Sequence, residues 1–393
     1  FDNEFAQFST PEIDRMPIEG VVLNMKSMFI DNVVNFPFPT PPPKESLIKA
    51  EKLLAYLGAV DPNSKRISEF GQIMSLFPIT PRFAKMLIIG QQHDCLPYVI
   101  AIVSALSVGN PFIQDYQLDD ASDQEKESED DDEEYTHLKS QAVIDKEKRK
   151  AMRRKYFGSL MKHASLDPSS DILKLLSAVA AYEYADGSNT FCEENFLRPK
   201  AMEEIRKLRR QLTNLVSANF PEIDVYMDPR MKRPSATQLK VLRQVLTAGF
   251  IDSVAIRQDV LDTGGGKGKK LKHSRHVVYR LMWSDEEAFI HPTSTLFSQE
   301  PPAMLVYSEL YKGTKTWLKG VTSVETKWVA KLGQGLCSYG RPLEYPLPKF
   351  IGDKKDRKLV YVVPSFGPKG WPLPPIQVEQ RREGTRWMTV SHQ

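Results

Sequence analysis

The chain has 393 residues, of which 41% are hydrophobic and 26% charged. That is too long for one ordinary core and apolar enough for two to four domains, and no apolar run reaches membrane-spanning length. The formal net charge of +3 conceals an uneven distribution: DDASDQEKESEDDDEE, from Asp119 to Glu134, has eleven acids and one lysine, a net of −10 that leaves +13 for the rest. A basic body with one acidic segment fits a polyanion-binding protein better than a neutral metabolic enzyme.

The opening FDNEFAQFS has neither a basic n-region nor an apolar h-region, so no secretory signal is expected. Without an initial methionine the chain reads as part of something longer. Val21, Val22, Met25 and Met28 predict a short helix. Prolines then crowd NFPFPTPPP (35–43), a stiff extended strap in which Phe36 and Phe38 are available for burial. KESLIKAEKLLAYLGAVD follows, a helix with Leu47, Ile48, Ala50, Leu53, Leu54 and Leu57 on one side and Gly58 as its C-cap. Ser68 is placed to cap another helix that Pro78 stops, and a further one starts after Pro81. Helix, turn, helix, small strand and helix in this length suit a winged-helix module.

PYVIAIVSALSV, from Pro97, is apolar nearly all round and predicts a buried helix. The acidic run after it is too charged to fold alone, and Asp130 to Glu134 lack the glycine and ligand spacing of a calcium loop. A basic helix, DKEKRKAMRRKYFGSLMKH, and a serine-capped core helix, SSDILKLLSAVAAYEYA, come next. In NFLRPKAMEEIRKLRRQLTNLVSANF the apolar stripe is read through Met202, Ile205, Leu208, Leu212 and Leu215. The cations Lys200, Arg206, Lys207, Arg209 and Arg210 fall on the other faces. They form either a solvated surface laced with pairs such as Glu203–Lys207 or a rail for phosphates.

After a last helix (TQLKVLRQVLTAGF) the pattern changes to short pieces rich in β-branched and aromatic residues: SVAIRQ, HVVYRLMW, EAFIHP, AMLVYSELY and TKTWLKGV. They predict a small barrel. GGGKGKKLKHSRH between them reads as a flexible basic hairpin tip. From Pro342 the chain reads as proline-rich and irregular. GxxxxGK[ST] is absent, so no Walker A loop is present to cradle a nucleoside triphosphate. Cys95, Cys192 and Cys337 show no CxxC spacing, which argues against a zinc site or disulfide framework and for a reducing compartment.

Several of these stretches together resemble one family. PEIDRMP…VVLNMKSMFI and the strap are similar to the junction after the second motor domain of DEAH-box RNA helicases, where a PEI.R segment and a loop ending in PPP precede a winged helix. GQIMSLFPITPRFAKMLI resembles that family's G..M..FP..P...KML stretch, and CLPYVIAIVSALSV its following ratchet helix. FLRPKAMEEIRKLRRQL is similar to the ratchet segment through Lys200, Met202, Leu208, Arg209, Gln211 and Leu212. VLRQVLTAGF, FIHPTSTLF and VYSELYKGTKTWLKGVTSVETKWVAKL resemble its OB-fold module. The likeness runs from Pro11 to about Leu332.

The resemblance implies a multidomain α+β chain with a winged helix, a helical-bundle ratchet and an OB-fold barrel, lacking the RecA-like motor domains. The implied boundaries are 1–33 for the end of the second motor domain and linker, 34–90 for the winged helix and 91–232 for the ratchet, with a charged insertion at about 115–157. The OB-fold is expected at 233–345 and a C-terminal extension at 346–393. An ATP-dependent RNA helicase is implied as the whole enzyme, with ATP and magnesium held by the missing motors and no catalytic residue here. RNA contacts are implied at Lys200 and Arg209 on the ratchet and at Arg243, His291, Thr293, Lys315 and Lys319 on the barrel, with Trp317 available to stack on a base. Gly71, Phe77 and Pro78 read as structural.

Within the family, NFPFPTPP, the acidic-then-basic insertion and the GWPLPPI tail resemble the nucleolar members of small-subunit ribosome assembly, which release U3 small nucleolar RNA from pre-ribosomal RNA. The implied partners are single-stranded RNA, pre-rRNA, U3 RNA and ribosome-assembly proteins including an activator, with no membrane, in the nucleus and nucleolus. Two alternatives stand beside this: a splicing-type helicase, and a non-catalytic assembly module that binds RNA or protein.

Overall fold

The computed structural model describes residues 17–113, 135–264, 268–352, 356–384 and 386–389, excepting the side chains of 135–146 and 383. The acidic run, with its candidate calcium acids, and PEIDRM (11–16) lie outside the described residues. The chain divides into two compact units, one formed before Leu96 and after Leu239 and the other from Leu96–Leu239.

The first unit opens with α1 (Ile18–Ser27), α2 (Lys44–Tyr56), α3 (Glu69–Ser75) and α4 (Pro81–Gln92). Leu47, Ala50, Leu54 and Leu57 line the buried side of α2, while Ile48 is exposed. Gly58 ends the helix at φ +82°, a left-handed conformation that favours glycine. The small strand pair of this region is one bridge, Val60 with Ile67. Ser68 caps α3, its Oγ accepting from the Gly71 N–H at 2.9 Å. A Cβ at Gly71 would stand 2.1 Å from the Ala59 carbonyl oxygen, so only glycine fits there.

On α1, Val22 and Met25 are buried as the pattern requires, but Met28 is exposed and Lys26 is buried instead. The Lys26 ammonium lies 2.7 Å from Glu51 Oε1 and donates to the carbonyls of Asp31 at 2.5 Å and Lys65 at 3.0 Å. Three acceptors meet its three N–H groups, which makes burial of the charge tolerable.

The second unit is helical: α5 (Leu96–Val108), α6 (Tyr135–Ala164), α7 (Asp171–Tyr184), α8 (Asn189–Glu194) and α9 (Pro199–Asn219). Its core comes mostly from α5, α7 and α9, through Val99, Ile102, Val103, Ile172, Leu176, Val179, Met202, Ile205 and Val216. Ser170 caps α7 by accepting from the Leu173 N–H at 3.2 Å. His163, near the end of α6, is buried. Its ring lies 5.8 Å from that of Phe112, and Nδ1 is 3.3 Å from Ser177 Oγ. Burial, with Lys162 and Lys174 nearby and partly offset by Asn195, lowers its pKa to about 4.

The first unit resumes within α10 (Ala236–Gly249). Then come β1 (Val254–Arg257), α11 (Gln258–Asp262), β2 (Tyr279–Leu281), β3 (Glu287–Ile290), β4 (Met304–Val306), β5 (Glu309–Lys312), β6 (Thr316–Lys319), β7 (Thr322–Val324) and α12 (Thr326–Leu332). The seven strands follow the order β5-β6-β3-β2-β1-β4-β7. All pairs are antiparallel except β3 with β6. Ala255, Tyr279, Leu281, Ala288, Ile290, Leu305 and Leu318 form the inner core. AMLVYSELY divides into β4 and β5 where a single piece was expected. Burial raises the pKa of Tyr279, and its hydroxyl donates to the Pro302 carbonyl at 2.9 Å.

The glycine-rich stretch is not a simple hairpin tip. α11 intervenes after β1, residues 265–267 lie outside the described set, and the segment beyond is held down. Arg257 is 5% exposed and lies 2.6 Å from Asp259. It donates to the carbonyls of Pro301 at 2.7 Å and Lys269 at 2.9 Å, while the Lys269 N–H donates to Asp259 at 2.6 Å. A buried guanidinium with this many acceptors orders a loop that composition alone would leave loose.

The tail also differs from its irregular reading. β8 (Cys337–Tyr339), β11 (Pro364–Phe366) and β12 (Trp371–Pro372) form one sheet; β9 (Lys349–Ile351), β10 (Arg357–Val362), β13 (Ile376–Glu383) and β14 (Arg386–Thr389) form another. Pro364 and Pro372 sit at strand ends, and Pro374 and Pro375 lie between strands, where a missing N–H breaks no ladder. Proline content concealed strands that Val360, Val362, Phe366 and Trp371 anchor by burial.

Candidate nucleic-acid interface

Strand alternation sorts the β3, β5 and β6 side chains onto two faces. Ala288, Ile290 and Leu318 point into the core, so Phe289, Trp317, Lys319 and Tyr311 point outward. Phe289 pairs with Trp317 across the parallel ladder, and Trp317 pairs with Tyr311 across the antiparallel one. One row of three aromatic residues therefore crosses three strands. The Phe289 and Trp317 rings are 6.1 Å apart, and His291 sits edge-on to Trp317 at 5.7 Å.

Cations take the diagonals of this row. Lys315 Nζ lies 4.7 Å from the Phe289 ring centre and Lys319 Nζ 4.8 Å from that of Tyr311, within cation–π range. Thr293 donates its backbone N–H to His291 Nδ1 at 3.2 Å, and its hydroxyl is 2.8 Å from the same nitrogen. An Nδ1 that accepts from the backbone leaves the ring proton of the neutral imidazole on Nε2.

The structure thus brings together His291, Thr293, Lys315 and Lys319 with Trp317. Phe289 and Tyr311 complete the surface and were missed; the signal lay in alternation within EAFIH and ELYK, which sends both outward with the lysines. Arg243 has a different setting on α10, its guanidinium 5.4 Å from the Trp328 ring of α12. Lys240 lies 5.9 Å from the same ring and 3.7 Å from Glu325. Burial lowers the pKa of Lys85 on α4 to about 8, against the opposing charge of Asp252. Asp252 itself holds Arg82 at 3.0 and 3.2 Å.

In the helical unit, Lys200 is exposed in the first turn of α9. Arg209 is not available as the sequence reading had it: it is 2% exposed. Its Nη1 lies 3.4 Å from Glu183 Oε1, Arg206 Nε lies 3.2 Å from Glu183 Oε2, and Arg209 Nη2 donates to the Asp228 carbonyl at 3.3 Å. Both contacts to Glu183 are at ion-pair distance but off the hydrogen-bonding line. Burial lowers the Arg209 pKa, against the pull of Glu183. The true inner stripe of α9 runs Met202, Ile205, Arg209, Leu212, Val216, an alternating three-four spacing in which Arg209 takes a core position. Leu208 and Leu215, assigned to that stripe from sequence, are only half-buried.

Among the described residues no group of three or more His, Cys, Asp or Glu could hold a metal ion. Nor is any described helix long and apolar enough to cross a membrane.

These elements define a class. The chain matches the helicase-associated winged-helix domain at residues 50–79, the ratchet-like helicase-associated domain at 80–175 and the oligonucleotide/oligosaccharide-binding fold at 242–336. It is 38% identical over 420 residues to the probable ATP-dependent RNA helicase DHR1 of Saccharomyces cerevisiae, covering 99% of this chain and 33% of the relative. With the probable ATP-dependent RNA helicase DHX37 of Homo sapiens the identity is 40% over 390 residues, 96% of this chain and 31% of the relative. A putative ATP-dependent RNA helicase of Schizosaccharomyces pombe is 36% identical over 400 residues, 99% of this chain and 32% of the relative. The chain thus carries helicase-associated and OB-fold domains and is similar to the C-terminal region of DEAH-box RNA helicases, spanning about a third of the length of these relatives.

Proposed function

We propose that this chain is the RNA-gripping C-terminal region of an ATP-dependent helicase that acts in small ribosomal subunit assembly, in the nucleolus, and separates U3 small nucleolar RNA from pre-ribosomal RNA. The observation that carries the gripping role is the outward row Phe289–Trp317–Tyr311 with Lys315 and Lys319 over its rings. Unpaired bases stack on aromatic faces whatever their sequence, and lysines neutralise phosphates and release counterions. Such a surface holds a single strand and lets it slide, as a translocating enzyme needs. ATP and magnesium belong to motor domains beyond these residues, and no residue here is assigned to them. The assignment to subunit assembly rests on the resemblance of NFPFPTPP, the acidic-then-basic insertion and the GWPLPPI tail to the nucleolar members of the DEAH-box family.

Binding of a single-stranded RNA oligonucleotide, followed by fluorescence anisotropy across a salt series, tests the gripping role. Trp317→Ala should weaken binding by about 1–3 kcal/mol. Lys315→Gln with Lys319→Gln should flatten the log–log salt slope by about 1.4, at about 0.7 per phosphate contact on a single strand. Unchanged affinity and slope in both variants would refute it. Loss of the full-length protein from cells should leave U3 RNA sedimenting with pre-ribosomes; an unchanged U3 profile removes the assembly role.

A further inference from the structure

The C-terminal four-stranded sheet carries a group of side chains that the proposed grip does not use. Across its order β14-β13-β10-β9, Phe350 stands opposite Lys358, Lys358 opposite Gln380, and Gln380 opposite Thr389. One step along, Arg382 stands opposite Trp387. Directly paired residues share a face, and so do residues two apart on one strand. Phe350, Lys358, Gln380, Arg382 and Trp387 therefore all project from one side of the sheet. Further along, the same side is core, where Val360 and Val362 are buried. It opens to water towards Phe350, which is 51% exposed, and Arg382.

Neighbouring strands about 4.8 Å apart put β9 and β14 about 14 Å from each other, yet the Phe350 and Trp387 rings are 6.1 Å apart. Both rings therefore lean inward over the two middle strands. Lys358 Nζ lies 4.2 Å from the Trp387 ring centre, a cation–π contact. Gln380, on the middle strand next to β14, is 7% exposed. Its Nε2 donates to Thr389 Oγ1 at 3.4 Å, while its Oε1 is buried and meets no donor among the described residues. A buried acceptor without a donor costs the fold stability, so it points to a role other than holding the sheet together.

Aromatic rings at the surface, cations beside them and a buried acceptor on the same face ask for three things at once: a flat π-system, a negative charge and an N–H. A carboxylate or a bare phosphate supplies only the second. A nucleotide supplies all three, because its base stacks, every base has an N–H on its pairing edge, and its phosphate meets lysine or arginine. We infer that this face of the C-terminal sheet is a base-binding site that takes one unpaired nucleotide of an RNA strand. Phe350, half in water on an edge strand, turns aside. The base then stacks on Trp387 and donates an N–H to Gln380 Oε1, while Lys358 and Arg382 move to the flanking phosphates. A base within a regular duplex has both its faces and its pairing edge already occupied, so the ligand is unpaired RNA. The site lies on a different sheet from the row Phe289–Trp317–Tyr311 and does not rest on it.

The test uses the full 393-residue chain with Trp387→Ala and, separately, Gln380→Met. Methionine fills a similar volume without an unpaired amide, so Gln380→Met should keep or raise the melting temperature. Anisotropy is read with a single-stranded RNA of mixed sequence, the same strand made abasic, and polyglutamate, with AMP as an unlabelled competitor. On the RNA strand Trp387→Ala should weaken binding about tenfold and Gln380→Met about three- to tenfold; on the abasic strand both should bind as the parent does. AMP at equal nucleotide concentration should leave the strand bound. Equal affinity of the parent and both variants for the RNA strand overturns the inference. So does the same loss on the abasic strand, which marks charge alone, and so does a fall in the Gln380→Met melting temperature, which marks a structural amide. A larger loss on polyglutamate than on RNA gives the face to an acidic protein segment, and displacement of the strand by AMP gives it to a free nucleotide; either result overturns the inference. Trp317→Ala separates the two sites, because its loss should multiply with that of Trp387→Ala. If only Trp387→Ala weakens binding, the row fails and this site stands; if only Trp317→Ala does, the row stands and this site is overturned.

Discussion

Arg209 offers the sharpest test of how burial decides between an internal and a ligand-binding role. Glu183 is 2% exposed and is flanked by Arg209 at 3.4 Å and Arg206 at 3.2 Å. Arg209→Ala leaves the carboxylate with one guanidinium. Breaking a buried pair typically costs about 3–5 kcal/mol when the remaining charge is stranded. Here Arg206 remains within reach and its side chain is 28% exposed, so the cost falls at or just below the bottom of that range, about 2–3 kcal/mol. For a unit of this size that lowers the melting temperature by about 5–10 °C. The double variant Glu183→Leu with Arg209→Leu removes both charges and should recover most of the loss. Thermal unfolding by circular dichroism reads the stability, and RNA anisotropy well below both transitions reads binding. Should Arg209→Ala melt like the parent while RNA affinity falls, Arg209 faces the ligand and the reasoning from burial is refuted.

Three further outcomes are expected. His163 has a folded pKa of about 4 against 6.5 for the free side chain, so the unfolded chain binds the extra proton between those values. Its contribution to stability is intact above pH 6.5 and is lost progressively towards pH 4, up to about 3 kcal/mol; in urea titrations across that range, His163→Gln should flatten the slope, and an identical slope refutes the burial. Gly71→Ala forces a Cβ against the Ala59 carbonyl oxygen at 2.1 Å and should cost about 1–3 kcal/mol in chemical denaturation; a neutral result means that the backbone yields. Arg257→Met strands the Asp259 carboxylate and frees the Lys269 segment, so amide exchange should quicken around residues 268–272; unchanged exchange there would show that the guanidinium does not order the loop.

Much of the fold is legible in the sequence wherever one period dominates. The buried α5, the caps at Ser68 and Ser170 and the short strands β1, β2, β3 and β6 follow from apolar spacing and turn chemistry. The failures have physical causes. Arg209 reads as surface because charge usually is surface, yet its three-four spacing from Ile205 and Leu212 marks a core position, and the partner that permits this lies on α7, outside any local window. Lys26 misleads in the same way. The C-terminal strands are hidden by prolines that occupy their ends. In the candidate interface the lysines and His291 are suggested by the family likeness, whereas Phe289 and Tyr311 emerge only once register sets three strands side by side.

The lock on Lys26 has a practical consequence for dissecting the protein. A fragment trimmed to begin at the phenylalanine-rich strap would discard α1 and strip Glu51 of its 2.7 Å counter-ion, leaving the acid only the exposed Lys65 at 3.9 Å beside a pocket shaped for an ammonium. Helices that look self-sufficient on paper would then start from a wounded interior. Any excision meant to keep the winged-helix region healthy should begin upstream of Ile18, and force arriving from that side of the chain would reach α2 through an electrostatic rivet rather than through the strap alone.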